Sequence, residues 1–167
     1  MTRDDLEALE AIRRLKARYF RYVDTKQWDR FGELFCEDAE LHVPVNRSEP
    51  LRGRAAIVER VSLGLSEMVT VHHGHAPEIE LPAPGRARAI WPMYDRLSSM
   101  TTELASSSAP GFGPRYEGFG HYTEEYVRGV DGRWRIARCE LRRLHLEIER
   151  HVRDIAPAGE SYGPVAA

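Results

Sequence analysis

Four runs rich in β-branched and aromatic residues, 69–81, 87–97, 117–130 and 133–147, fill most of the second half of the chain and constrain it most. Each is long enough for a strand, and they follow one another closely, so they read as one antiparallel sheet. Pro82-Ala-Pro-Gly85 is placed to close the first hairpin. Asp131-Gly132 closes the last, because glycine accepts the positive φ that tight turns require.

The first half has a different period. Leu6, Leu9, Ile12, Leu15, Tyr19 and Val23 recur at three- and four-residue steps between charged residues, the pattern of an amphipathic helix. Trp28, Phe31, Leu34 and Phe35 predict a second, shorter helix. A short strand over 39–45 and a third helix over 53–65, carried by Ile57, Val61 and Leu65, complete the half. Helices followed by a curled antiparallel sheet give an α+β domain in which the sheet wraps the long helix and leaves a pocket between them. Residues 1–150 form one domain on this reading, and 151–167, rich in Pro, Gly, Ala and Ser, a disordered or subunit-crossing tail. The segment 98–114 has few apolar anchors and is a candidate lid or interface segment.

Composition narrows the partners. The formal net charge is −2, and no basic run tracks a phosphate backbone, so nucleic acid is not expected. No stretch approaches the roughly 20 apolar residues of a membrane helix, and the acidic start lacks a signal-peptide core. The expectation is a soluble, cytoplasmic protein with no membrane partner. Cys36 and Cys139 have no CxxC spacing and read as reduced, buried thiols. An open sheet face needs covering, which predicts a homo-oligomer, a dimer or a trimer.

Three of the chain's 7 histidines crowd into Val71-His-His-Gly-His75. Strand alternation puts His73 and His75 on one face and His72 on the other. In the next strand Ala87, Ala89, Trp91, Met93 and Asp95 share a face, so Asp95 ends an apolar stripe and needs a partner. Two partners are open: His72, if the hairpin register brings it alongside to make a general base, or an arginine. Tyr19 can be an electrophile or simply core, and Asp24 an acid or simply a helix-end residue. Five residues separate these two by about 140° on a helix. His73-Gly-His75 with Glu80 matches half of a cupin metal motif, but the Pro-x-Gly and further His of the other half are missing. A cupin-like metal enzyme is therefore the weakest alternative, and the expectation is no metal.

Together, the run from Ile12 through Asp24 to Phe35, Val71-His-His-Gly-His75, Trp91-Pro-Met-Tyr-Asp95, Gly118-Phe-Gly-His-Tyr122 and Trp134-Arg-Ile136 resemble the SnoaL-like branch of the nuclear transport factor 2-like superfamily. The resemblance spans about residues 5 to 148. It implies a cone: a curved antiparallel sheet wrapped around N-terminal helices. Within the branch the chain is most similar to bile acid 7α-dehydratases and, more distantly, to scytalone dehydratases. Tyr19, Asp24, His72 and Asp95 match the dehydratase pattern of Tyr, Asp, His and Asp in order and spacing.

What the resemblance implies is a cofactor-independent dehydratase or isomerase acting on a hydrophobic polycyclic carbonyl compound such as a steroid, polyketide or aromatic. His72, oriented by Asp95, would abstract a proton, Tyr19 would stabilise the enolate oxygen, and Asp24 would assist departure of water. Trp91, Met93 and His121 are the expected substrate-binding residues. The alternative is a non-catalytic ligand-binding or oligomerisation domain of the same fold.

Overall fold

A computed structural model of the chain describes residues 1–43, 49–99 and 115–149. Its elements, in order, are α1 (Arg3–Asp24), α2 (Trp28–Gly32), β1 (Phe35–His42), β2 (Leu51–Arg52), α3 (Arg54–Leu65), β3 (Met68–Gly74), β4 (Glu78–Ala83), β5 (Arg86–Ser99), β6 (Arg115–Arg128) and β7 (Trp134–Glu149). Most of the expected segment 98–114, and the tail 151–167, lie outside the described residues.

Helix α1 starts on a capping box. The Asp5 amide donates to Thr2 Oγ1 at 3.2 Å, and the Thr2 amide to the Asp5 carboxylate at 2.6 Å. Its buried stripe is Ile12, Leu15, Lys16, Tyr19 and Val23, a helical face with one charged member. Leu6 lies off that stripe and is half exposed.

The described strands form one sheet in the order β2-β1-β7-β6-β5-β3, with β4 also on β5. All pairings are antiparallel except β1 with β7, so the expected antiparallel sheet contains one parallel pair. Two further boundaries differ from the sequence reading. Phe35 starts β1 instead of ending α2, because it pairs into the sheet opposite Ile136, whose amide donates to the Leu34 carbonyl at 2.8 Å. The run 69–81 is two strands, broken at 75–77, so that β3 and β4 share the long edge of β5: β3 pairs with Met93 to Ser99, β4 with Arg86 to Ile90. The two predicted turns hold, with Gly85 at φ 69° and Gly132 at φ 76°.

The concave face of the sheet packs on α1, α2 and α3. The main core joins Ile12, Leu15, Tyr19 and Val23 of α1 to Phe31, Phe35, Ile57, Trp91, Met93, Tyr122, Tyr126 and Ile136. A smaller cluster of Met68, Leu97 and Tyr116 lies where β3, β5 and β6 meet. The convex face leaves Val69, Val71, Ile90 and Phe119 exposed. Among the described residues no helix is long and apolar enough to cross a membrane.

Candidate active site

Asp24 is the last residue of α1, a poor place for a carboxylate, since the helix dipole disfavours negative charge at its C-terminal end. The sheet compensates. Asp24 Oδ1 lies 2.6 Å from His72 Nδ1 and accepts from Thr70 Oγ1 at 2.9 Å, while Oδ2 accepts from the His72 amide at 2.9 Å. Thr70 and His72 point the same way because they are two apart in β3. Lys26, in the left-handed region at φ 58° just past the helix, donates from Nζ to Thr70 Oγ1 at 2.8 Å.

These donors fix the chemistry. Half-burial pushes the Asp24 carboxyl up, but the His72 and Thr70 hydrogen bonds outweigh it and hold the group below its usual range. An ionised Asp24 is an acceptor only, so His72 Nδ1 carries a proton toward it. In the neutral imidazole Nε2 is then the free lone pair, and His72 lines a cavity.

That cavity has a volume of about 110 Å³. Its wall is mainly aliphatic, from Val23, Leu41, Leu51, Val61, Leu65, Leu97 and Leu141, with Tyr19, Tyr116 and Tyr122 and the charged Glu49 and Arg60 on the same lining. Burial pushes all three hydroxyls above the ordinary tyrosine range, so they are neutral donors.

Asp95 lies opposite His72 in the β3–β5 register, the condition that the sequence left open. Its partner, however, is an arginine. Arg143 of β7 donates from Nη1 at 2.8 Å and Nη2 at 2.6 Å to the two Asp95 oxygens, with side-chain exposures of 5% and 2%. Burial lowers the Arg143 pKa, but the Asp95 bond more than restores it, and the net shift is upward. Arg143 Nη2 also donates to Tyr116 at 3.2 Å. The pair spans two strands because β6 has Gly118 between them: a Cβ there would stand 2.6 Å from Arg143 Nη1 and 2.7 Å from the His145 carbonyl.

The expected His72–Asp95 dyad is therefore corrected to His72–Asp24, with Asp95 held by Arg143. Asp24 accepts bonds on both oxygens and is not placed as a free acid. Tyr19 is both core and cavity wall.

The expected substrate-binding residues stand elsewhere. Trp91 and Met93 face inward but are packed into the main core, Trp91 donating from Nε1 to the Tyr126 hydroxyl at 2.9 Å. His121 is on the convex face, since Tyr116, Tyr122 and Tyr126 take the inward positions of β6 and strand alternation turns it out. There it lines a shallow groove with His73, His75 and Phe119. Among the described residues no three His, Cys, Asp or Glu side chains converge on a metal position.

Four neighbours of the site went unnoticed in the sequence: Thr70, Arg143, Tyr116 and Tyr122. For Arg143 the signal existed, because a lone carboxylate closing an apolar stripe demands a cation. Which arginine answers it depends on the β6–β7 bulge between Phe119 and Gly120.

The comparisons with known proteins agree with this architecture. The chain is 26% identical over 151 residues to "Probable cyclase FGR4" of Gibberella zeae, covering 85% of this chain and 95% of that protein. Its fold matches a structure from Novosphingobium aromaticivorans named "Putative Scytalone Dehydratase" with a TM-score of 0.74 and 24% identity, over 97% of this chain and 100% of the other. The hexachlorocyclohexane dehydrochlorinase LinA-type3 of Novosphingobium barchaimii matches with a TM-score of 0.72 and 19% identity, over 92% and 98% of the two chains. At these identities the two structures speak for the fold alone. Residues 4–140 match the model of the SnoaL-like domain, and the chain belongs to that family, within the nuclear transport factor 2-like fold.

Proposed function

We propose that the protein is a cofactor-independent lyase or isomerase that removes a proton next to a carbonyl group. The observation that carries this reading is the His72 imidazole, held by Asp24 at 2.6 Å with no hydrogen-bond partner on its other nitrogen among the described residues, on the wall of an apolar cavity. A base so placed acts on a C–H bond whose electrons can move onto an oxygen, and general-base catalysis by a positioned side chain contributes about 10²- to 10⁴-fold.

In the proposed step His72 Nε2 takes the proton, the C–H electron pair forms the enolate C=C bond, and the carbonyl π pair becomes the oxyanion. Tyr19 and Tyr122, neutral hydroxyls that hydrogen bond to one another on the cavity lining, stabilise that oxygen, Tyr19 by donating to it and Tyr122 by donating to Tyr19. For a β-hydroxy carbonyl substrate the enolate then expels the hydroxyl group. His72 returns its proton to it, so that water leaves and an enone remains. For a β,γ-unsaturated ketone, which has no leaving group, the base removes the α proton to form a dienolate and returns it at the γ carbon, so that the double bond moves into conjugation. Asp24 orients the base and stabilises the imidazolium. The Arg143–Asp95 pair adds a fixed dipole beside Tyr116.

The cavity's size favours a smaller substrate than the polycyclic one expected from resemblance. Pockets for drug-sized ligands run from about 300 to 1,000 Å³, whereas this one holds about 110 Å³. A single-ring cyclic ketone or β-hydroxy ketone suits it.

The test is a panel of single-ring β-hydroxy ketones and cyclic enones in D₂O. Enone absorbance follows elimination, and proton NMR follows exchange of the carbon-bound hydrogen. Wild-type-dependent exchange or elimination that His72→Gln abolishes is the expected result. Ligands that bind and return unexchanged would favour a carrier of the same fold instead.

A further inference from the structure

Behind the two cavity tyrosines sits an ion pair that the proton-abstraction step does not use. Lys16 Nζ and Glu124 Oε1 are 2.6 Å apart, and both side chains are 0% exposed. The idealised cost of desolvating such ions is large, and the effective penalty is still several kcal/mol per ion, so a buried pair is weak evidence for stability. A hydrophobic pair of similar volume would fill the core as well.

The surroundings of Lys16 suggest another use. Its ammonium lies 3.6 Å from the ring centroid of Tyr122, 4.0 Å from that of Tyr19 and 4.8 Å from that of Phe20. Two local spacings make this arrangement. Lys16 and Tyr19 are three apart on one face of α1, and Tyr122 and Glu124 are two apart on the inner face of β6. The carboxylate is anchored on its far side, where Glu124 Oε2 accepts from the Tyr126 hydroxyl, which in turn accepts from Trp91 Nε1 at 2.9 Å. The dipole of the pair thus has its positive end on the tyrosine rings and its negative end tied down in the core.

A cation over an aromatic face is attracted by the ring quadrupole, more strongly when desolvated. It draws electron density from the ring and so strengthens the phenolic O–H as a donor, most of all when negative charge builds on the acceptor. We propose that Lys16, fixed by Glu124, is a positioning residue that makes Tyr19 and Tyr122 selective for a ligand oxygen that becomes anionic. The inference rests on the oxyanion role given to these hydroxyls above. Its consequence is specificity: the cavity prefers a single-ring oxyanion over a neutral molecule of the same shape.

The probes are 4-nitrophenol, whose ionised form absorbs separately from the neutral one, and 4-nitrotoluene as its neutral counterpart. The readouts are the pH at which bound nitrophenol ionises and the ratio of the two affinities. Lys16→Met alone would strand a buried carboxylate, so the principal variant is the double substitution K16M/E124Q, with folding checked by circular dichroism. It should lower the nitrophenolate preference about tenfold and leave nitrotoluene binding unchanged. Glu124→Gln alone leaves the buried ammonium without its counterion, which favours its neutral form, so this variant should lower the preference as well. Equal changes for both probes, or an unchanged preference in K16M/E124Q, would overturn the inference. Tyr19→Phe separates the two levels. If it abolishes the preference while K16M/E124Q does not, only the role of Lys16 falls. If wild type shows no preference, the oxyanion role of the tyrosines falls with it.

Discussion

His72 and Asp95 face each other across neighbouring strands, yet each takes its charged partner from a different element, His72 from the end of α1 and Asp95 from β7. The inner wall of the cavity thus holds two separate pairs, one able to exchange a proton and one locked as a bidentate ion pair.

Nuclear magnetic resonance of the imidazole nitrogens distinguishes the two carboxylates. Asp24→Asn should change the His72 tautomer balance, because the charged acceptor on Nδ1 is lost. Asp95→Asn should leave it nearly unaltered. The reverse pattern would restore the dyad inferred from the sequence.

Replacing His72 with Gln should cost about 10²- to 10⁴-fold in turnover of any substrate found in the ketone panel. The melting temperature should change little, since the His72 side chain contributes one bond to the half-buried Asp24 and the backbone amide bond survives the substitution. A kinetic loss below tenfold would argue that the base lies elsewhere.

Asp95→Ala should act on stability first. It leaves Arg143 buried and unpaired, and breaking a buried pair from one side costs about 3–5 kcal/mol. Urea unfolding measures this directly, and a loss under about 1 kcal/mol would mean that water reaches Arg143.

The acid limb of stability should depend on Asp24. Its folded carboxyl is held below the ordinary 3.8, so it binds a proton less readily folded than unfolded. The stabilisation it gives is complete above the unfolded value and is lost as pH falls through the lower folded one. Wild type should therefore exceed Asp24→Asn in stability at neutral pH, with the difference closing below pH 3.8. Melting temperatures of both proteins across that range supply the check.

Gly118→Ala should break the reach of Arg143 over β6, since the added carbon would meet both the guanidinium and the His145 carbonyl. Overpacking of this kind costs about 1–3 kcal/mol. The variant should lose stability by an amount comparable to that range, with the His72 tautomer unchanged.

The sequence makes the frame legible where local physics decides. Periodicity locates α1, and glycines at 85 and 132 mark the turns. It fails where a partner is distant. Lys16 sits on the buried stripe of α1, and its counterion is 108 residues away in β6. Arg143 reaches Asp95 only because a bulge shifts β7 against β6. Residue chemistry and resemblance both mark Asp24 and His72 as candidate site residues. That they belong to each other could not be read, because it depends on how the end of α1 docks on β3.

His72 and Asp24, the proposed base and its orienting carboxylate, lie 48 residues apart in the chain, one on a strand and one on a helix end, and no local segment contains both. On the proposed function, catalytic competence is thus a property of tertiary docking. Conditions that loosen α1 from the sheet while preserving helix content would silence the protein before spectroscopic signs of unfolding emerged. Turnover would then report on core integrity more sensitively than ellipticity does.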